Sequence, residues 1–203
     1  MTDDGEAMVS EIVPFKITIC GIDELAGHCA VGVSHVLSIL DPGAPQPPAF
    51  GAFGEHRRVE LRFDDVIEEV PEKIAPRRSH VEAILEFGRD LAAEPSPVAH
   101  LLVHCHAGIS RSTAAMSLIL AQTRPDLPAD DVLAEILRIR SRAWPNLRII
   151  ELGDALLGRN GAIAAAASRL HAAQIRLQPQ LAHDFSANGR AREVDRARAF
   201  HRD

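Results

Sequence analysis

Tyrosine is absent from this chain, and the other aromatics are few: 7 Phe and 1 Trp among 203 residues. Lys and Arg number 22 against 28 Asp and Glu, for a formal net charge of −6. The sequence therefore lacks both the basic field and the stacking platforms on which nucleic-acid binding rests. Cysteine is scarce as well. Cys20, Cys29 and Cys105 are too few and too scattered for a disulfide framework or a four-ligand zinc site, and they suit a reducing compartment. No uncharged apolar run reaches the roughly 18 residues of a membrane span. The start, Met1 to Glu6, is acidic where a signal peptide is basic. The expectation is a soluble, cytoplasmic protein.

What is present is the balance of a globular domain, 46% apolar and 25% charged. Four short apolar runs with Gly, Pro or Asp at their margins predict strands: Phe15 to Cys20, Val33 to Leu40, Val59 to Phe63 and Val98 to His104. The last is almost continuously apolar, as a central strand covered on both faces should be. Helical spacing predicts Arg77 to Ala93, Arg111 to Gln122, Ala129 to Arg142 and Leu147 to Leu157. Strands interleaved with helices, then helices alone, predict an α/β domain: a twisted, mostly parallel sheet of four or five strands with helices on both faces. That domain spans residues 1–158. Residues 159–203 form an extension, first a weakly amphipathic helix to Leu177, then from Ser186 a segment with five arginines but no apolar rhythm. The expectation for that segment is a mobile or accessory, solvated tail.

The chemistry concentrates where the central strand ends and a helix begins, at His104-Cys105-His106-Ala107-Gly108-Ile109-Ser110-Arg111-Ser112. Ligands bind at that end of parallel strands. A loop there aims successive backbone N–H groups into one concavity, and the helix N-terminus adds partial positive charge, a shape suited to a phosphate dianion. Gly108 permits the tight turn. Arg111 offers a planar fork to two phosphate oxygens, which Lys could not copy. The same positive surroundings stabilise a thiolate at Cys105, giving a nucleophile at neutral pH. Ser112 lies within reach of the sulfur and helps it leave again; His104 orients the loop.

Cys-(five residues)-Arg-Ser preceded by His, with the inner Gly in place, resembles the signature of the cysteine-dependent protein tyrosine phosphatase superfamily, and the match is complete from Cys105 to Ser112. More loosely the resemblance runs from Val33 to Leu157: Val33–Leu40 is similar to the family's second strand, and Trp144-Pro145-Asn146 to the Pro-Asn segment of small dual-specificity members. The resemblance implies two steps, attack of Cys105 on phosphorus and hydrolysis of the phosphocysteine, with no metal or organic cofactor. It also implies an Asp acid on a loop after a strand. Leu61-Arg62-Phe63-Asp64-Asp65 is similar to the Phe-Asp-Asp of the phosphatases of regenerating liver, which points to Asp65; Asp64, Glu68 and Glu69 stay as substitutes. A bracing role for Asn146 on the phosphate loop comes from the family alone, as does a protective Cys20–Cys105 disulfide.

Each residue also has a plainer reading. Cys105 could be a buried thiol, but Gly108, Arg111 and Ser112 all fall at the required offsets. His104, Cys105 and His106 do not make a metal site, because neighbours on a strand point to opposite faces. His106 reads as solvent-facing, Cys20 as a packed small residue, and Asn146 as a helix cap. Positions 106, 107, 109 and 110 carry no Lys, and there is no tyrosine for a deep recognition loop. The expected substrate is a phosphorylated protein side chain. The alternatives are a phosphoinositide, nucleotide or other small phosphoester, or a catalytically weak phosphate-binding module.

Overall fold

Five strands hydrogen-bond into one sheet: β1 (Met8–Val9), β2 (Lys16–Cys20), β3 (His35–Leu40), β4 (Arg57–Arg62) and β5 (His100–His104), in the spatial order β1-β2-β5-β3-β4. The computed structural model describes residues 8–9, 12–93 and 99–200; Val98, Met1 to Glu6 and the final residues 201–203 lie outside them. β2, β5, β3 and β4 run parallel, and only β1 is antiparallel to its neighbour. The centre falls on β5, every residue of which is buried. Its almost continuously apolar run follows from cover on both faces: Leu101 and Val103 join one core, while Leu102 joins another behind the sheet.

The two faces are covered unequally. The α-helices α1 (Arg78–Ala93), α2 (Arg111–Thr123), α3 (Ala129–Ile139) and α4 (Leu147–Leu156) pack into the larger core with Ile17, Leu37 and Leu101. On the far face two 3₁₀ helices, Ile22–His28 and Pro48–Ala52, supply Leu25 and Phe50 against Val36 and Leu102. Among the described residues no helix is long and apolar enough to cross a membrane.

The helix read to Leu177 is present, and the segment beyond it departs from its sequence reading. Following α5 (Ala162–Leu177), the chain forms α6 (Gln180–Phe185), a π-helical turn Ser186–Arg190 and α7 (Ala191–Ala199). These pack in place as a third core around Trp144, with Ala172, Val194 and Ala197. Trp144 is stacked between His171, at 4.2 Å, and Phe185, at 4.0 Å. The arginine-rich stretch showed no apolar rhythm because two of its four buried positions are charged. Arg190 and Glu193 are 5% and 0% exposed, and they meet through two 2.7 Å hydrogen bonds from Nε and Nη2. Glu193 also accepts from Trp144 Nε1 (2.7 Å) and the Leu147 N–H (2.9 Å). A mobile, solvated tail is thus corrected, over residues 186–200, to a docked helix held by a satisfied buried ion pair.

Two predictions follow from this packing. Glu193→Ala leaves the Arg190 guanidinium buried without its counter-charge and should lower the unfolding free energy by about 3 kcal/mol, measured by denaturant titration; a change within error would mean that the helix is not docked in solution. The second concerns acid. Burial pushes His104 down to about 4, and burial, reinforced by Arg190, pushes His171 down to about 3, from 6.5. Below 6.5 the unfolded chain takes up protons that the folded chain refuses. Stability is therefore full above about pH 6.5 and is lost as pH falls toward 4 and then 3, at up to about 1.4 kcal/mol per pH unit for each ring. A flat stability profile between pH 6.5 and 4.5 would show that both rings charge within the fold.

Candidate active site

Residues 105–110 link the end of β5 to the start of α2, and the carbonyl groups of residues 106–110 are all drawn the same way. The His106 carbonyl accepts from the Ile22 N–H (2.9 Å), and those of Ala107 and Gly108 accept from Arg140 Nη2 and Nε (3.1 Å each). The Ile109 carbonyl accepts from the Trp144 N–H (2.9 Å) and that of Ser110 from the Asn146 N–H (3.3 Å). No peptide here is cis. In a planar trans peptide the C=O and N–H point opposite ways, so this anchoring turns the N–H groups of residues 107–111 toward the cleft. With the α2 N-terminus they make an anion cradle.

Two glycines allow the loop to lie this close to β2. Gly108 has φ +69°, and a Cβ there would sit 2.5 Å from the Cys20 carbonyl carbon. At Gly21 a Cβ would stand 3.0 Å from the His106 carbonyl oxygen. Arg140, buried, is itself fixed by Glu24 in a bidentate pair of 2.9 and 3.0 Å. Burial alone would raise the Glu24 carboxyl, but Arg140 and the Gly21 N–H outweigh it and hold the group below the usual carboxylate range.

The side chains of the motif occupy the mouth and floor of a cleft of about 440 Å³. Cys105 Sγ lies 3.2 Å from Ser112 Oγ. Arg111 is only 2% exposed. Its Nη1 donates to the Phe63 carbonyl (2.6 Å) and pairs with Asp41 (2.7 Å), whereas its buried Nε has no partner. A buried N–H with nothing to donate to is costly, and this one belongs to a guanidinium lining the cleft. An oxyanion would satisfy it. His106 and Ala107 are exposed, Ile109 is half-buried and Ser110 is buried. His104 Nε2 meets Ser38 Oγ at 2.7 Å, so the ring bridges β5 to β3 while burial keeps it neutral.

The two aspartates after β4 have different surroundings. Asp64 closes its own loop: its carboxylate accepts from the Ile74 N–H (2.7 Å) and Lys73 Nζ (3.1 Å). Burial opposes ionisation there, yet those donors hold Asp64 below the usual range. Asp65 faces the loop of residues 105–110. Its Oδ1 accepts from Ser110 Oγ (2.7 Å), Asn146 Nδ2 (2.8 Å) and, at 3.4 Å, Arg190 Nη1. Of the other acids considered, Glu68 pairs with Arg192 and Glu69 with Arg148. Asn146 does two things at once, capping α4 through the Ile149 N–H (3.1 Å) and tying Asp65 to the loop. Cys20 is a packed, buried thiol that burial and the nearby Glu24 push up, and all three cysteines are free.

Sequence reasoning missed Asp41, Glu24, Arg140, Phe185 and Arg190, of which Asp41, Phe185 and Arg190 line the cleft. No motif spacing marks them, because each arrives from a different element.

No protein-family model matches the chain, and no curated protein matches it in sequence. Solved structures do. The human tyrosine phosphatase-like serine/threonine/tyrosine-interacting protein has TM-score 0.52 at 18% identity, over 74% of this chain and 95% of that one. Tk-PTP in its active form gives 0.52 at 18%, over 78% and 99%. PTPMT1 in complex with PI(5)P gives 0.50 at 15%, over 75% and 96%. At such identities the likeness speaks for architecture: this chain has the fold of the tyrosine and dual-specificity phosphatase-like proteins.

Proposed function

We propose that the chain hydrolyses phosphomonoesters through a phosphocysteine. The observation that carries this reading is the buried, unpartnered Nε of Arg111 beside a loop whose carbonyls at residues 106–110 are turned away, with Cys105 Sγ in the same cleft. A phosphate seated there would meet backbone N–H groups and the guanidinium at once. The Cys105 thiolate attacks phosphorus as the ester P–O bond breaks, and Asp65 gives its proton to the departing oxygen. Water, deprotonated by Asp65, then attacks phosphorus; the S–P bond breaks, inorganic phosphate forms, and Ser112 Oγ, 3.2 Å from the sulfur, stabilises the returning thiolate.

The favoured substrate is a phosphorylated protein side chain. Around the cleft Asp41, Asp64 and Asp65 offset Arg111, Lys73 and Arg190, so no excess positive charge remains for a polyanion. A phosphoinositide is the second reading, supported by Lys73 at the rim and by the PI(5)P held by the similarly folded PTPMT1. The proposed setting is a soluble enzyme that uses no metal.

Steady turnover of para-nitrophenyl phosphate, abolished in Cys105→Ser, tests the chemistry; a binder without turnover would support the phosphate-binding module instead. Arg111→Lys keeps the charge but loses the fork, and activity should fall by about 10²-fold or more; near-normal kinetics would contradict the bidentate role. Asp65→Ala should slow esters of poor leaving groups by about 10²-fold and activated phenols much less. Comparing a phosphotyrosine peptide with phosphoinositide vesicles separates the two substrate readings.

A further inference from the structure

Arg190 comes from the C-terminal helices yet reaches the cleft. The chain bends just before it, where Asn188 and Gly189 leave helical geometry and Gly189 takes φ +76°. Glu193 then grips Nε and Nη2, and the face of Phe185 lies 5.1 Å from the guanidinium carbon. Glu193 is itself fixed by Trp144 and Leu147. With that edge of the planar group taken, Nη1 has a single direction left, and it meets Ser110 Oγ at 2.9 Å and Asp65 Oδ1 at 3.4 Å.

The donors fix the sense of this chain of bonds. Arginine has no acceptor, so Ser110 Oγ accepts from Arg190 and spends its one hydrogen on Asp65 Oδ1. Asn146 Nδ2 donates to the same oxygen. Three donors on Oδ1 exclude a proton from it, so any proton that Asp65 carries sits on Oδ2.

We propose that Arg190 is a positioning residue for Asp65, acting with Ser110 to fix which carboxyl oxygen carries the transferable proton. The inference rests on the hydrolase reading above and adds to it a role for the C-terminal extension in the first chemical step. A purely structural Arg190, serving only to neutralise Glu193, would need no contact with Ser110 or Asp65.

Steady-state kinetics of Arg190→Ala and Arg190→Lys, each alone and in the Asp65→Ala background, with phenyl phosphate and para-nitrophenyl phosphate, separate the two. Positioning predicts that Arg190→Ala lowers kcat for phenyl phosphate on the order of tenfold, part of what a general acid supplies. It also predicts about twofold or less for the activated ester, little change in KM, partial recovery with Lys, and no further loss when Asp65 is already Ala. Equal slowing of both esters, or losses that multiply with those of Asp65→Ala, would overturn it. If Arg190→Ala is unfolded at the assay temperature, Arg190→Gln, which keeps a donor toward Glu193, is read in its place against the same outcomes. Should Asp65→Ala itself slow both esters equally, the proposal falls with that acid while the Cys105 chemistry stands. Should Cys105→Ser retain turnover, the hydrolase reading fails first.

Discussion

Everything at this site depends on the direction in which five consecutive peptide groups face. The carbonyls of residues 106–110 are each engaged from outside the cleft, by backbone N–H groups of Ile22, Trp144 and Asn146 and by the side chain of Arg140. One such bond nets only about 1 kcal/mol, too little to hold a loop alone. Five of them on successive residues leave the segment a single arrangement, one that points its own N–H groups inward before any anion arrives. Preorganised dipoles of that kind need no rearrangement when charge develops. The parallel sheet supplies the platform, and the close approach of Gly21 and Gly108 supplies the contact.

Around that cradle, buried charges are paired in a consistent way. Arg140 braces the loop only because Glu24 fixes its guanidinium, and Arg190 reaches Ser110 only because Glu193 does the same. Arg111 differs: Asp41 and the Phe63 carbonyl restrain Nη1, while Nε stays unmatched. Two guanidiniums are thus consumed by architecture, and the third keeps an unsatisfied donor. Buried ion pairs add little to stability on balance, but losing one partner is costly. Their value here is directional, since a forked cation held on one edge can present the other edge to a fixed place.

The sheet and the loop from Cys105 to Arg111 could be read from sequence because both are written locally. The β5 run, the Gly108 turn and the Cys105–Arg111–Ser112 spacing are neighbours along the chain, and strand pairing of parallel type follows from the interleaved helices. The short antiparallel strand Met8–Val9 left no such pattern. What surrounds the loop was hidden for a different reason. Glu24, Asp41, Arg140 and Arg190 come from four separate segments, and each looks like an ordinary surface charge until folding places it. The helix from Ala191 to Ala199 was obscured further, because Glu193 occupies an inward position where periodicity looks for an aliphatic side chain. Asn146 was legible as a cap, whereas its bond to Asp65 needed the third dimension.

The chain's one tryptophan, Trp144, lies sandwiched between rings from α5 and α6, with its indole nitrogen on a carboxylate of α7. Undocking of those helices would wet the indole and shift its emission to longer wavelength. The molecule therefore carries an intrinsic optical gauge, uncontaminated by tyrosine, of whether its C-terminal helices are seated beside the cleft.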